Sequence, residues 1–175
     1  KKLENEKILL ELPSDSALKS RLPIVHKVIY LLFNEGYKSS DGNEIIREEL
    51  CEEALILTKL LLDCGLYNSD TFSLYALMLF HAARFKSRFA PNGDLLDLGN
   101  QDRSLWNTDL ILMGNYYLKQ SESNQLSGFH IEAYIAHIHC AAKSFDDTDW
   151  GLISQLYNKL LLDNANPFVE LNYAI

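Results

Sequence analysis

The sequence has no apolar run long enough to cross a membrane, no C-x-x-C pair and no glycine-rich nucleotide-binding motif. Its N-terminal stretch KKLENEKILLEL carries acidic residues where a signal peptide would be apolar. The cysteines Cys51, Cys64 and Cys140 are odd in number and lie in apolar helical patterns, which predicts free, buried thiols in a reducing compartment. We therefore expect a cytoplasmic protein that does not bind membranes.

Positive charge is also scarce. The 175 residues include 24 acidic and 16 basic side chains, for a formal net charge of -8. Such a surface repels a phosphate backbone on average, so we expect no direct DNA binding by this chain. The most basic segment, ARFKSR, contains Arg84, Lys86 and Arg88, and three charges favour the interpretation of a solvated loop.

The apolar residues recur mostly at helical spacing, which predicts one all-α domain, an antiparallel array of about seven helices. The predicted helices cover about residues 23–36, 45–64, 69–85, 102–120 and 129–143, then a sixth capped by Asp147 or Thr148 and a seventh from Asn166-Pro167. Ser69 or Asp70 is the predicted cap of the third helix. Whether SDSALKSRL, ahead of Pro23, continues the first helix stays open, because an interior proline removes a hydrogen bond.

Two finer structural predictions concern the first helix and the segment after the third. On the first helix, the predicted buried face consists of Ile24, Val28, Leu31 and Leu32, widened by Val25, Ile29 and Phe33. The segment RFAPNGDLLDL has Asn92-Gly93 at its centre, a pair that tolerates the positive φ angles of a tight turn. It predicts one small β-hairpin near residues 88–97.

Histidines and carboxylates are the first candidates for a metal or catalytic site: His81, His130, His137, His139 and Glu132. The sequence has neither HExxH nor a pair of histidines at i and i+4 with a carboxylate, so ordinary satisfied or surface histidines are the preferred interpretation. Cys51 lies among carboxylates in EELCEEA, which raise a thiol pKa and argue against a nucleophile. We predict no catalytic residue, no metal and no cofactor.

Three polar clusters remain. Asn34, Glu35 and Tyr37 in FNEGY can line a cleft, although ordinary packing at a helix C-terminus is favoured. Asp149 and Trp150 in FDDTDW lie at a helix N-terminus, where a carboxylate stabilises the helix dipole and the ring can pack beneath.

In the third cluster, QDRSLW, each side chain has a predicted structural role. Asp102 caps the following helix, Trp106 anchors that helix in the core, and Arg103 reaches a nearby carboxylate. The alternative role is a contact surface for a partner.

Seven segments occur in an order that is found in a known domain: VIYLLFNEGY, LCEEALILTKLL, LYALMLFHAARF, QDRSLWNTDLI, AYIAHIHCAA, DTDW and NPFVELNYA. Over residues 22–175 the chain resembles the tetratricopeptide-like C-terminal extension of a subgroup of extracytoplasmic-function (ECF) sigma factors. The helix junction near Tyr157 and Pro167 is also similar to that of a tetratricopeptide array. The residues that match the family's motifs are His81, Arg84, Asp102, Arg103, Trp106, His139, Asp149 and Trp150. The chain departs from the family's pattern at Asn107, His130, Glu132 and Tyr173.

The resemblance implies that sigma-2 and sigma-4 domains precede Lys1, that residues 1–21 are the linker leaving sigma-4, and that residues 22–175 are a regulatory domain truncated at its C-terminal end. It implies a non-catalytic, bacterial control element of transcription initiation. The implied partners are the sigma-2 and sigma-4 domains of the same parent chain and core RNA polymerase. The acidic surface suits contact with the basic DNA-binding faces of those domains. Activation and inhibition are both open, as is the oligomeric state.

Two other functions are compatible with the residues. A small-molecule sensor would use a pocket between helices, lined by Asn34, Glu35, Tyr37, His81, Arg84 and His139. A hydrolase-type enzyme is less favoured, because it requires a histidine and a carboxylate to converge in one cleft.

Overall fold

The computed structural model describes residues 13–37 and 47–163. These ranges contain six α-helices: α1 (Asp15–Tyr37), α2 (Glu48–Asp63), α3 (Ser69–Ala82), α4 (Thr108–Gln120), α5 (Gly128–Ala141) and α6 (Trp150–Asp163). Two single-turn 3-10 helices, Phe85–Ser87 and Arg103–Leu105, lie between α3 and α4. The prediction of an all-α helical array is confirmed, whereas the predicted seventh helix at Asn166-Pro167 lies outside the described residues.

Helix α1 starts well before the predicted first residue and contains Pro23 in its interior. Ser14 caps its first turn, with the backbone N–H of Ala17 3.3 Å from Ser14 Oγ. Leu22, directly before Pro23, is buried. The part of the chain interpreted as a linker is therefore helical from Asp15 onward.

The buried face of α1 differs from the predicted one. Ile24, Val28 and Leu31 are 67%, 60% and 67% exposed, whereas Ile29 and Phe33 are buried. His26 is buried on the same side as Ile29 because its Nε2 is 2.8 Å from Thr71 Oγ1 of α3. A polar side chain thus occupies a core position, and an apolar stripe is left at the surface.

Helix α3 is the centre of the array, since nearly all its side chains are buried. It packs against α1, α2, α4 and α5. Leu74 and Met78 join the core formed with α1 and α2, while Leu77 and Phe80 join the core formed with α4 and α5. A smaller core joins α5 to α6.

The helix caps lie close to the predicted residues but are different ones. Asn68, and not Ser69 or Asp70, caps α3 through a capping box with Thr71. Asn107 caps α4, where its Oδ1 accepts from the backbone N–H groups of Asp109 and Leu110. Asp149 accepts from the backbone N–H of Leu152 at the start of α6, in place of the predicted Asp147 or Thr148.

The predicted β-hairpin is wrong, because no strand occurs in residues 13–37 or 47–163. The chain does reverse at Asn92-Gly93, where Gly93 has a φ of 90°. A single antiparallel bridge joins Phe89 to Leu95. The ladder does not extend away from the turn, because the 3-10 helix Phe85–Ser87 precedes it and the Asp97 side chain turns the following chain by accepting from the backbone N–H of Asn100.

The cysteines are free, as predicted, but their burial is not uniform. Cys51 is buried and Cys140 half-buried, whereas Cys64 is exposed at the C-terminal cap of α2. Burial, followed by the nearby Glu48 and Glu49, raises the pKa of Cys51 to about 12. Within the described ranges, no helix combines the length and apolar character needed to span a membrane.

Gly114 in α4 permits the close approach of α3, and replacing it by alanine tests that packing. A Cβ atom there would lie 2.6 Å from Cε1 of the fully buried Phe80 ring. We expect Gly114→Ala to lower the free energy of unfolding by about 1–2 kcal/mol, because the overpacking outweighs the gain in helix propensity. Urea unfolding measures this change.

Gly128→Ala is the matched control, since its Cβ would meet only Leu160 Cδ2, at an ordinary 3.8 Å. Its free energy of unfolding should stay within about 0.5 kcal/mol of the wild type. Equal stability of Gly114→Ala and the wild type would show that α3 and α4 do not pack as described.

Candidate functional site

A cavity of about 290 Å³ lies between α1, α3 and α5. It is lined by Tyr30, Asn34, Tyr37, Leu77, His81, Arg84, Leu98, Glu132, Ile135, Ala136, His139 and Tyr157. Tyr30, Asn34 and Tyr37 are spaced by four and three residues and so share one face of α1. Glu132 and His139 share a face of α5 for the same reason. Regular helix geometry therefore brings these polar side chains together.

Arg84 forms the basic end of the cavity. It is only 8% exposed, and its Nη2 donates to Tyr37 Oη at 3.2 Å and to His81 Nδ1 at 2.8 Å. Because a guanidinium only donates hydrogen bonds, His81 accepts at Nδ1. The Nε atom of Arg84 is buried and has no hydrogen-bond partner among the described residues.

Arg88 is also buried, so the interpretation of ARFKSR as a solvated loop is wrong for two of its three cations. Its guanidinium carbon lies 3.7 Å from the centroid of the Tyr37 ring. Arg88 therefore makes a cation–π contact with the face of the Tyr37 ring. Lys86 is the exposed cation of the segment.

Arg103 holds the C-terminal end of α5, which carries His139, beside the basic end of the cavity. The guanidinium lies 4.5 Å from the centroid of Trp106 and donates to the backbone carbonyls of His139 and Ala142 at 2.6 and 2.9 Å. The predicted carboxylate partner is therefore wrong. The last carbonyls of a helix have no partners within the helix and carry partial negative charge, so they attract a cation.

The other residues of QDRSLW have local structural roles. Trp106 is buried, as predicted, and its Nε1 donates to Ser87 Oγ at 2.8 Å. Asp102 is exposed and accepts from the backbone N–H of Ser104 at 2.9 Å, so it caps the 3-10 helix and not α4. Hydrogen bonds with Ser104 lower the pKa of Asp102. Asp102 and Arg103 are thus not paired with each other.

His139 lies near two cations, Arg84 and Arg103. Burial, and then the charges of Arg84 and Arg103, lower its pKa to about 4. Its ring packs edge-on against the Trp150 ring, with centroids 5.4 Å apart. The Nδ1 atom of His139 is buried and, within the described part of the chain, has no hydrogen-bond partner.

The opposite end of the cavity is formed by Glu132 and Tyr30. The Tyr30 hydroxyl donates to Glu132 Oε2 at 2.6 Å. Burial raises the pKa of Glu132 and that of Tyr30, and the carboxyl group adds to the rise for Tyr30. The cavity therefore has a cationic end and a hydrogen-bonded, weakly acidic end.

Five of the six residues predicted to line a pocket lie around this cavity: Asn34, Tyr37, His81, Arg84 and His139. Glu35 does not line it, and its carboxylate instead lies 3.4 Å from Arg47 Nη1. Sequence reasoning missed Tyr30 and Tyr157 and did not place Glu132 in a pocket. The available signal for Glu132 was its spacing of seven residues from His139, which puts both side chains on one face of a helix.

The remaining histidines have separate partners. His130 Nε2 contacts the backbone carbonyl of Ser121, and His137 Nδ1 contacts Asn115 Oδ1. No group of three or more potential metal ligands forms in the ranges that the structure describes. Asp149 and Trp150 lie at the start of α6, where Trp150 also packs against Phe145.

Comparison with known proteins gives two matches. Residues 21–122 match a family of unknown function, DUF6596. An uncharacterized protein of Rhizobium meliloti (strain 1021) is 35% identical over 169 residues, which cover 96% of this chain and 40% of that protein. This chain therefore corresponds to less than half of that relative's length. No solved structure matches the chain.

The lowered pKa of His139 predicts a specific acid sensitivity. Between its folded pKa, about 4, and the ordinary value of 6.5, the unfolded chain binds more protons than the folded one. The stability that His139 contributes is complete above its ordinary pKa of 6.5 and is lost as the pH falls toward its folded pKa, about 4. We expect His139→Gln to flatten the fall in unfolding free energy between about pH 7 and about pH 5, measured by urea unfolding.

His26 and His137 also have lowered pKa values and remain in the variant, as does Glu132, whose raised pKa acts in the opposite direction. The decisive quantity is therefore the difference in slope between the two proteins. Parallel pH profiles would mean that His139 is not buried beside the two arginines.

Proposed function

We propose that this chain, which belongs to the family of unknown function DUF6596, is a non-catalytic regulatory domain of a bacterial ECF sigma factor. The seven segments described above support this proposal, and their order suits a tetratricopeptide-like array. The relative's greater length is compatible with a chain that has further domains. The domain modulates sigma-dependent initiation through contacts with sigma-2, sigma-4 or core RNA polymerase.

The observation that carries the protein-interaction function is the exposed apolar stripe on α1, which consists of Ile24, Val28 and Leu31. These side chains are 60% exposed or more and follow one helix face at spacings of four and three residues. Single apolar residues at a surface are ordinary, but an aligned set on a helix is how an amphipathic helix binds a groove or a partner face. We assign this stripe to the sigma domains, because the resemblance puts them on the N-terminal side of α1.

Charge adds a second element to this contact. The net charge of -8 complements the basic DNA-binding faces of sigma-2 and sigma-4, and such complementarity accelerates association. Contact with those faces would compete with promoter DNA. The interaction should accordingly weaken as salt concentration rises.

A small-molecule sensor is the second candidate function, and the cavity between α1, α3 and α5 favours it. The cavity lies at the low end of the size range of ligand pockets and combines apolar walls with a few convergent polar groups. Because α1 contributes both to the cavity and to the apolar stripe, a ligand that shifts α1 would alter the sigma contact. The two functions are therefore compatible in one domain.

Leu31→Glu tests the stripe without disturbing the core. We expect its affinity for the parent chain's sigma-2 and sigma-4 domains to fall about tenfold, because a carboxylate would be desolvated in the contact. Removal of the domain and Leu31→Glu should change transcript yield from a sigma-dependent promoter in the same direction. Fluorescence anisotropy and reconstituted transcription with core RNA polymerase measure these effects.

Leu162→Glu is the matched control, since Leu162 is 83% exposed on α6, away from the stripe. It should bind and regulate like the wild type. A wild-type domain that neither binds the sigma domains nor alters transcription would refute the proposal. So would a parent gene without sigma-2 and sigma-4 sequences upstream of Lys1.

A further inference from the structure

We propose that the cavity binds a small organic carboxylate, held at the basic end by Arg84 and His139. This inference rests on the sensing function given above as the second candidate. It does not depend on the sigma parentage, because it concerns only the residues around the cavity. The ligand class follows from the charges and the unpartnered donors.

The first argument is an uncompensated buried charge. Arg84 is only 8% exposed, and none of the ion pairs found in the described ranges involves it. A buried cation is costly unless it is paired and hydrogen-bonded. The contacts of Arg84 with Tyr37 and His81 use only Nη2, and Nε is buried without a partner in residues 13–37 and 47–163. A ligand anion would satisfy both the charge and this donor.

The second argument is that the neighbours of Arg84 reinforce the positive potential. Arg103 is near enough to His139 to lower its pKa together with Arg84. Nη2 of Arg103 and Nδ1 of His139 are further buried nitrogens without partners in the described part of the chain. In a chain with 24 acidic side chains, two arginines and unpartnered buried nitrogens at one end of a cavity mark an anion site.

Among the described residues, one carboxyl group lines the cavity, and it does not neutralise this end. Glu132 lies seven residues before His139 on α5, about 10 Å along the helix axis. It accepts the hydrogen bond from Tyr30. The far end of the cavity therefore suits the polar or uncharged end of a ligand whose anionic group lies at Arg84.

A carboxylate fits better than a phosphate. The planar guanidinium of Arg84 presents adjacent donors that fit the two oxygens of a carboxylate, whereas a dianionic phosphate requires more donors. Leu77 and Ile135 give the cavity apolar walls, and its volume of about 290 Å³ suits a compact molecule. The expected ligand is a monocarboxylate with a short, largely apolar body.

The test uses the full 175-residue chain labelled with 15N and butanoate as the probe. The Nε–H resonance of Arg84, assigned by its loss in Arg84→Gln, reports directly on the proposed contact. Both tryptophans of the chain also report on it, since Trp106 lies 5.9 Å from Arg84 and Trp150 lies 5.4 Å from His139. Butanamide is the neutral isostere, sodium chloride controls for ionic strength, and inorganic phosphate tests the other anion class.

We expect butanoate to shift the Arg84 resonance and the tryptophan fluorescence saturably, whereas butanamide and chloride do not. Arg84→Gln should weaken butanoate binding, followed by fluorescence, about tenfold or more. Lys86→Gln removes the same charge from the neighbouring exposed side chain and should leave the affinity unchanged. If Arg84→Gln does not fold, His139→Gln decides the point, with a weakening of several fold expected.

Three results would overturn the proposal: equal effects of butanoate and butanamide, a butanoate effect no greater than that of chloride, or unchanged affinity in a folded Arg84→Gln. Saturable binding of phosphate without binding of butanoate would overturn the carboxylate class. The titration contains no sigma domain, so its failure is distinct from failure of the regulatory function. Butanoate binding that leaves sigma-dependent transcription unchanged would refute the sensing function but not the carboxylate site.

Discussion

The Arg103 guanidinium, held between the Trp106 ring and the end of α5, positions everything at the basic end of the cavity. It bonds the carbonyls of His139 and Ala142, while Trp106 bonds Ser87, whose hydroxyl donates to the carbonyl of Arg84. These contacts join the segment after α3 to the C-terminus of α5. Without them, only the packing of α3 against α5 would set the separation of Arg84 and His139.

The chemistry of these contacts explains why an acidic protein has a cationic cavity. Aromatic faces and helix carbonyls stabilise a guanidinium through partial charges and leave its unit charge in place. Arg88 and Arg103 are held in this way, whereas Arg84 is held by neutral hydrogen-bond acceptors. In the described ranges, no carboxylate lies within ion-pair distance of these three arginines. Burial, and then the remaining positive potential, lowers the pKa of His139. The same arrangement therefore supplies both the rigidity of the fold and the affinity for an anion that we propose.

Local patterns in the sequence predicted the helices well, but long-range contacts decided the rest. On α1, apolar residues occur on most of the circumference, so periodicity could not show that Ile29 faces the core and Val28 faces solvent. His26 is buried because of Thr71, 45 positions away. The observed helix caps differ from the predicted ones by one or a few positions, because several residues that can cap a helix are adjacent in the sequence. Tyr37 was recognised in the polar cluster FNEGY, and His81 and Arg84 were recognised through the family motifs. The contact of Tyr30 with Glu132 spans 102 positions and has no local signature.

An aromatic ring and two helix carbonyls, and not a carboxylate, stabilise the half-buried charge of Arg103. A double-mutant cycle with Trp106→Leu and Arg103→Met isolates this contact, since losses that belong to one residue alone cancel. Unfolding free energies from urea titration at low and high salt should give a coupling of about 1–2 kcal/mol, largely insensitive to salt because the indole ring carries no net charge. Additive single effects, with no coupling at either salt concentration, would contradict the account.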